Sequence, residues 1–308
     1  MDLELSDDQV ALRDGIASLL AGRFGSDRIR AGFDRVMWDE LAAAGVFSLG
    51  ADGFGWADRV VVFEELGRAC VPGPLVAGSL AHGSVEGIVG GVDRAAAGEV
   101  AMVEHLDALD RVLVLDDDGI AAVDAAAVDG DPSPWPLDPL TPVTRVASLP
   151  AGERIGDAAL ARDWRRQGSV LTAAFALGLA TRGTELAVEY AKGREQFDRP
   201  IGSFQAIKHL LADMLVRAEV ARAAVYSAGA HLDDPELPGL DRSIATAKVL
   251  ACEAAIVNGK SATQVYGGMG FTWEVDVHLY LKRAWVLDTH FGSVEHCSDA
   301  IAKSLPSR

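Results

Sequence analysis

Apolar residues recur every three to four positions along most of this chain, a period that predicts a mainly helical protein. Ser6 and Gln9 have capping-box spacing, with Leu5 and Val10 placed as a hydrophobic staple, so a helix is expected from there to about Gly22. Residues 38–45 read as a second helix ending at glycine, and residues 60–70 as a third, closed by Pro72-Gly73-Pro74. Between about 100 and 150 the period changes: residues 111–115 and 120–123 are apolar runs around Asp116-Asp-Asp-Gly119, two strands joined by a turn. Five prolines from Pro132 to Pro142, with Trp135 among them, exclude a helix interior and predict an extended loop. The helical period returns over residues 170–190, 204–232 and 244–266, with Ile207, Leu210, Leu211, Met214 and Leu215 as expected core positions of the second. A turn at 233–239 and shorter helices at 276–288 and 295–303 complete the pattern, for which a four-helix bundle is the natural closed packing. The expected fold is thus mainly α with a small β segment: helical residues 1–98, a β unit at 99–150 and a C-terminal bundle at 151–308.

Composition narrows the function classes. A chain of 308 residues with 49% hydrophobic content can bury a sizeable core. Its formal charge of −17, with 28 Lys and Arg scattered along it, argues against nucleic acid as a partner. The first eight residues are acidic, and no apolar run approaches the roughly 20 residues of a membrane helix, so a cytoplasmic protein without membrane attachment is expected. Cys70, Cys252 and Cys297 lack Cys-x-x-Cys spacing and read as buried free thiols. His209, His231, His278, His290 and His296 share no helical face with ligand spacing, the weak pair His290 and His296 apart, so no metal site is expected.

Three segments carry a more specific signal: Arg194-Glu-Gln-Phe-Asp-Arg-Pro-Ile201 with Phe204-Gln205, Gln264-Val-Tyr-Gly-Gly-Met-Gly-Phe271, and His290-Phe-Gly-Ser293. Taken alone each is weak. Arg194 reads as a helix-end residue capping carbonyls and Phe197 as a core aromatic, and a Gly-Gly-x-Gly without a strand before it and a helix after it is no Rossmann fingerprint. Together they resemble the C-terminal half of the acyl-CoA dehydrogenases, and Phe63-Glu-Glu-Leu-Gly67 before its breaker resembles the helical domain at that family's N-terminus. The resemblance implies FAD as cofactor, with Arg194, Gln196 and Phe197, and Gln264, Gly267 and Gly268, touching the ADP half of a flavin bound mainly by a neighbouring subunit. It also implies a catalytic glutamate inside a Tyr-Glu-Gly-Thr tetrad, and Phe291 stands at that position. Members that carry the base on an earlier helix would have it where this chain has Gly168. Neither residue can accept the α proton of an acyl thioester. Asp163, Glu274, Asp288 and Glu295 read as solvated or ion-paired surface acids. The family's Thr-Glu-Pro and Gly-Ser-Asp segments are missing, so its middle β domain is expected in truncated form, and Lys282-Arg283 stands where the family has Arg-Asp, so an internal ion pair is expected to be lost or rearranged.

These departures sort by subunit role, ADP-end residues kept and base and β-domain residues absent. The expectation is a base-less partner subunit of a heteromeric (α2β2) FAD-dependent acyl-CoA dehydrogenase, similar to those of actinobacteria that act on steroid side-chain CoA esters. A homologous full-length subunit would then hold the acyl-CoA. The alternatives are an autonomous homo-oligomeric flavoenzyme with an unrecognised base, and a flavin-free helical protein of assembly or regulation.

Overall fold

The computed structural model describes residues 4–94 and 100–305. Five helices come first: α1 (Asp7–Arg23), α2 (Ser26–Arg30), α3 (Arg35–Ala43), α4 (Trp56–Arg68) and α5 (Leu75–Ala81). The capping box read from the sequence starts α1, with Gln9 N–H donating to the Ser6 hydroxyl and Ser6 N–H to Gln9 Oε1. Helix α4 begins at Gly55, which has no side chain to cap with; Asp233 caps it from across the molecule, accepting from Trp56 N at 2.6 Å and Ala57 N at 2.9 Å. Helix α5 is buried at every position, so it lacks the polar face from which an amphipathic helix is read.

The β unit is wider than the 99–150 expected from the sequence. Strand β1 (Val89–Asp93) runs parallel to β3 (Arg111–Leu115), which pairs antiparallel with β4 (Gly119–Asp124), and β4 pairs with β7 (Glu153–Asp157). A second sheet sets β2 (Ala101–Glu104) beside β6 (Val143–Val146) and β5 (Asp131–Pro132), so the proline-rich loop supplies a short edge strand. The Gly90-Gly91 pair in β1 hid that strand from a propensity reading. Along β2, Ala101 and Val103 are buried, leaving Met102 and Glu104 on the opposite face.

The bundle is built from α6 (Ala158–Gly193), α7 (Gln205–Asp233), α8 (Leu240–Tyr266), α9 (Val277–Leu287) and α10 (Val294–Ser304). Helix α6 has 36 residues, about 54 Å, and starts well before the apolar run, at the Asp157 cap. It passes so close to α4 that a Cβ on Gly67 would lie 2.0 Å from the Phe175 carbonyl, and one on Gly178 2.0 Å from the Glu64 carbonyl. Only glycine permits that approach. Buried Asn258 joins three helices, its Oδ1 accepting from Arg217 on α7 and its Nδ2 donating to Met214 O on α7 and Thr184 Oγ1 on α6. The expected core position Leu215 is instead 54% exposed, with Val216 at 60% and Val220 at 50%, so α7 presents an apolar stripe outward.

Candidate functional site

Helices α6 and α8 end side by side. Tyr190 and Tyr266 stack with centroids 4.1 Å apart, and the Tyr266 hydroxyl donates to the Leu186 carbonyl, which brings the segment after α6 to the same end of the bundle as the glycine loop after α8. Beyond Arg194 the chain makes a two-residue hairpin between β8 (Glu195–Gln196) and β9 (Arg199–Pro200). Its turn residues Phe197 and Asp198 both have positive φ, 55° and 60°. That backbone is rare for phenylalanine, and the ring is 85% exposed, so the strain is not offset by burying the side chain. Phe197 is therefore not the core aromatic that its residue type alone suggests.

Arg194 is exposed, and its guanidinium makes no hydrogen bond or ion pair among the described residues. Gln196, whose Nε2 donates to the Glu195 carbonyl, is also exposed, as is Gln264. The three loop glycines separate by role. A Cβ on Gly267 or Gly268 would meet nothing within 4 Å, whereas one on Gly270 would lie 2.7 Å from the Thr263 carbonyl. Gly270 serves packing, and Gly267 and Gly268 leave backbone open to a ligand. Phe271 and Trp273, 81% and 59% exposed, flank the loop. The cluster offers a free guanidinium, amides, aromatic faces and approachable backbone, a donor set that suits a nucleotide diphosphate.

Phe291 and Gly168, the positions at which the resemblance implies a base, lie together elsewhere. A Cβ on Gly168 would come within 2.3 Å of Phe291 Cδ1, so the aromatic ring fills the space that a side chain on α6 would need. Phe291 takes positive φ, 49°, followed by Gly292 at 100°. The turn is held from beneath by Lys248, fully buried, whose Nζ donates to the Leu287 carbonyl at 2.7 Å and the His290 carbonyl at 2.6 Å. Burial pushes the Lys248 ammonium below the usual lysine range.

Beside Phe291 opens a cavity of about 350 Å³ between α5, β1, β2, α6 and α9. Two carboxylates line it. Asp93 receives a forked contact from Arg165 on α6 at 2.9–3.1 Å. Glu104 lies 2.7 Å from His290 Nε2. Burial raises the Glu104 carboxyl, but the charge and hydrogen bond of His290 outweigh it and hold the group below the usual carboxylate range. A carboxylate so held is a weak proton acceptor. Asp163, Glu274, Asp288 and Glu295 do not line the cavity. Arg283, at the position where an internal ion pair was expected to be lost or rearranged, pairs with Asp138 in the proline-rich loop: Nε to Oδ2 is 2.5 Å, with both side chains buried. The pairs Glu104–His290 and Asp138–Arg283 were not read from the sequence, because each joins residues more than a hundred positions apart. All three cysteines are buried free thiols, and burial pushes Cys70 up to about 12.

Comparison with known proteins establishes the family and the fold. Residues 166–305 match the family model described as "Acyl-CoA dehydrogenase, C-terminal domain". The "Acyl-CoA dehydrogenase IpdE2" of Mycobacterium tuberculosis is 36% identical over 305 residues, covering 89% of both chains. A crystal structure of the "ChsE4-ChsE5 complex" from the same organism superposes with a TM-score of 0.82 at 24% identity over 100% of both chains. A variant of the "Tcur3481-Tcur3483 steroid ACAD" gives 0.81 at 21% identity over 96% of this chain and 97% of that one. At these identities the two structures establish the fold. No helix among the described residues is long and apolar enough to cross a membrane.

Proposed function

Since the chain belongs to the acyl-CoA dehydrogenase family, whose cofactor is FAD, we propose that it is the partner subunit of a heteromeric acyl-CoA dehydrogenase. In this role Arg194, Gln196, Phe197, Gln264, Gly267 and Gly268 hold the ADP end of a flavin whose ring lies in the other subunit. That bound flavin supplies the hydride acceptor for α,β-dehydrogenation of an acyl thioester; the other subunit supplies the base and holds the acyl-CoA. The observation that carries the reading is the contrast between the two sites. One is open, with Arg194 unpaired among the described residues and Phe197 85% exposed; the other has Phe291 packed over Gly168 where a carboxylate would have to stand.

The surface supports an obligate neighbour. Phe197, Phe271 and Trp273 around the open cluster, and Leu215, Val216 and Val220 on α7, are apolar side chains that a second subunit would cover. An autonomous flavoenzyme would need a base, and the carboxylates that line the cavity with Phe291 are committed to His290 and Arg165. A flavin-free assembly protein would have no use for an unpaired Arg194 beside two approachable glycines. One structural neighbour is a steroid ACAD by name, and this supports a steroid acyl-CoA ester as the substrate class in this proposal.

The test is Arg194→Ala in the co-purified complex. The variant loses most of its FAD, read from absorbance near 450 nm against protein, at unchanged helical content. Full flavin occupancy in the variant would remove Arg194 from the site.

A further inference from the structure

Helix α2 reaches across the molecule to the segment that follows the glycine loop. Arg30 Nε donates to Asp276 Oδ1 at 2.6 Å and Arg30 Nη1 to the Trp273 carbonyl, while the Ser26 hydroxyl donates to Asp276 Oδ2 at 2.6 Å. Asp276 stands at the N-cap of α9, where an aspartate carboxylate ordinarily accepts from amides of the first turn. It makes no such cap here. Both of its oxygens are turned to α2, so the start of α9 forgoes a local contact in favour of one between distant elements.

What this tie places is the loop. The upstream end is fixed by α8: Gly267 N–H donates to the Gln264 carbonyl, and Gly270 lies against the Thr263 carbonyl. Downstream, the 3-10 turn Gly267–Phe271 runs into Thr272, whose N–H and hydroxyl both donate to the Met269 carbonyl at 2.9 Å. The next carbonyl along, that of Trp273, is the one Arg30 holds. Within the loop, the α-carbons of Gly267 and Gly268 face open space and Phe271 is 81% exposed, so packing does not fix the loop from inside. The Trp273 ring meets His278 edge-on and lies under Lys282, both on α9, but those contacts orient the side chain and leave its backbone to Arg30.

We infer that Arg30 is a positioning residue for the ADP-end site, holding the backbone of the Gly267–Phe271 turn where Gly267 and Gly268 can meet the ligand, with Asp276 and Ser26 holding Arg30 in turn. The identity of that ligand rests on the partner-subunit reading. The tie itself rests on the geometry, and it makes the helical N-terminal unit part of the cofactor site without touching the cofactor.

The test compares Arg30→Met, Arg30→Lys and Asp276→Ala in the co-purified complex. The two side chains are 25% and 31% exposed, so folding is not at stake, which far-UV circular dichroism checks. Arg30→Met raises the Kd for FAD by about ten-fold, the order expected for the loss of one charge-assisted hydrogen bond. It also speeds hydrogen exchange at the Thr272 amide while exchange within α6 and α8 stays as it was. Arg30→Lys, which keeps the charge, recovers part of the affinity. Asp276→Ala separates positioning from direct contact: if Arg30 touched the pyrophosphate, loss of the nearby carboxylate would tighten FAD binding, whereas loss of a positioning tie weakens it. The inference is overturned by FAD affinity in Arg30→Met within about two-fold of the parent, by unchanged exchange at Thr272, or by tighter FAD binding in Asp276→Ala. A parent complex without flavin would sink the partner-subunit reading instead, and the exchange measurement would then decide the tie by itself.

Discussion

Replacing Asp138 by alanine removes the carboxylate that ties the proline-rich loop to α9. Its Oδ2 accepts from Arg283 Nε at 2.5 Å and Thr141 Oγ1 at 2.8 Å, its Oδ1 from Leu140 N at 3.0 Å, and it is 0% exposed. Truncation therefore leaves a buried guanidinium unpaired as well as a hydroxyl and an amide without acceptors. Breaking such a pair from one side costs about 3–5 kcal/mol. Arg283→Met strands the Asp138 carboxylate and costs a similar amount. With Asp138→Ala and Arg283→Met combined, neither charge is buried alone and the loss shrinks, since apolar replacement of a whole buried pair is often near neutral. The double-mutant cycle thus has a coupling energy of about 2 kcal/mol or more. Equilibrium urea unfolding, followed by tryptophan fluorescence and far-UV circular dichroism, measures all four corners. An Asp138→Ala loss below about 1 kcal/mol, or strict additivity, would refute the claim that this pair fastens the β unit to the bundle.

Other consequences concern pH and the Phe291 position. Burial pushes the His105 imidazole down from 6.5 to about 4, so the unfolded chain takes up a proton that the folded one refuses. Stability is full above pH 6.5 and falls as pH drops toward 4, by up to about 3 kcal/mol, in urea titrations run across that range. His105→Asn, which tolerates the residue's left-handed backbone, flattens the slope; an unchanged slope would assign the acid sensitivity to another group. On the partner-subunit reading, Phe291→Glu in the purified single chain yields no acyl-CoA-dependent dye reduction, because the flavin ring and thioester pocket would belong to the other subunit. Measurable turnover would show that a single substitution restores the chemistry.

Much of the bundle was legible because packing one helix face against others imposes a 3.6-residue period on residues 170–190, 204–232 and 244–266. The first twelve residues of α6 escaped that reading. They carry Arg165 and Arg166, whose partners Asp93 and Asp241 lie elsewhere in the chain, so they look like a solvated loop. Helix α5 and strand β1 were missed for opposite reasons, one apolar at nearly every position and the other interrupted by two glycines. In the exposed cluster after α6 and α8 the candidate residues sit in short contiguous motifs, which is why Arg194, Phe197, Gln264 and the glycines could be singled out from the sequence as candidates. Leu215 shows the limit of periodicity: its spacing matches Met214 and Leu211, yet it faces outward, since a stripe that a second chain would bury looks the same in sequence as one buried within the fold.

The most direct test of the partner-subunit account is FAD content measured together with native mass, for this chain expressed alone and then with a full-length acyl-CoA dehydrogenase subunit from the same genome. A colourless single chain, and a yellow mixed tetramer only on co-expression, is the predicted result. A yellow homo-oligomer formed by this chain alone would contradict it.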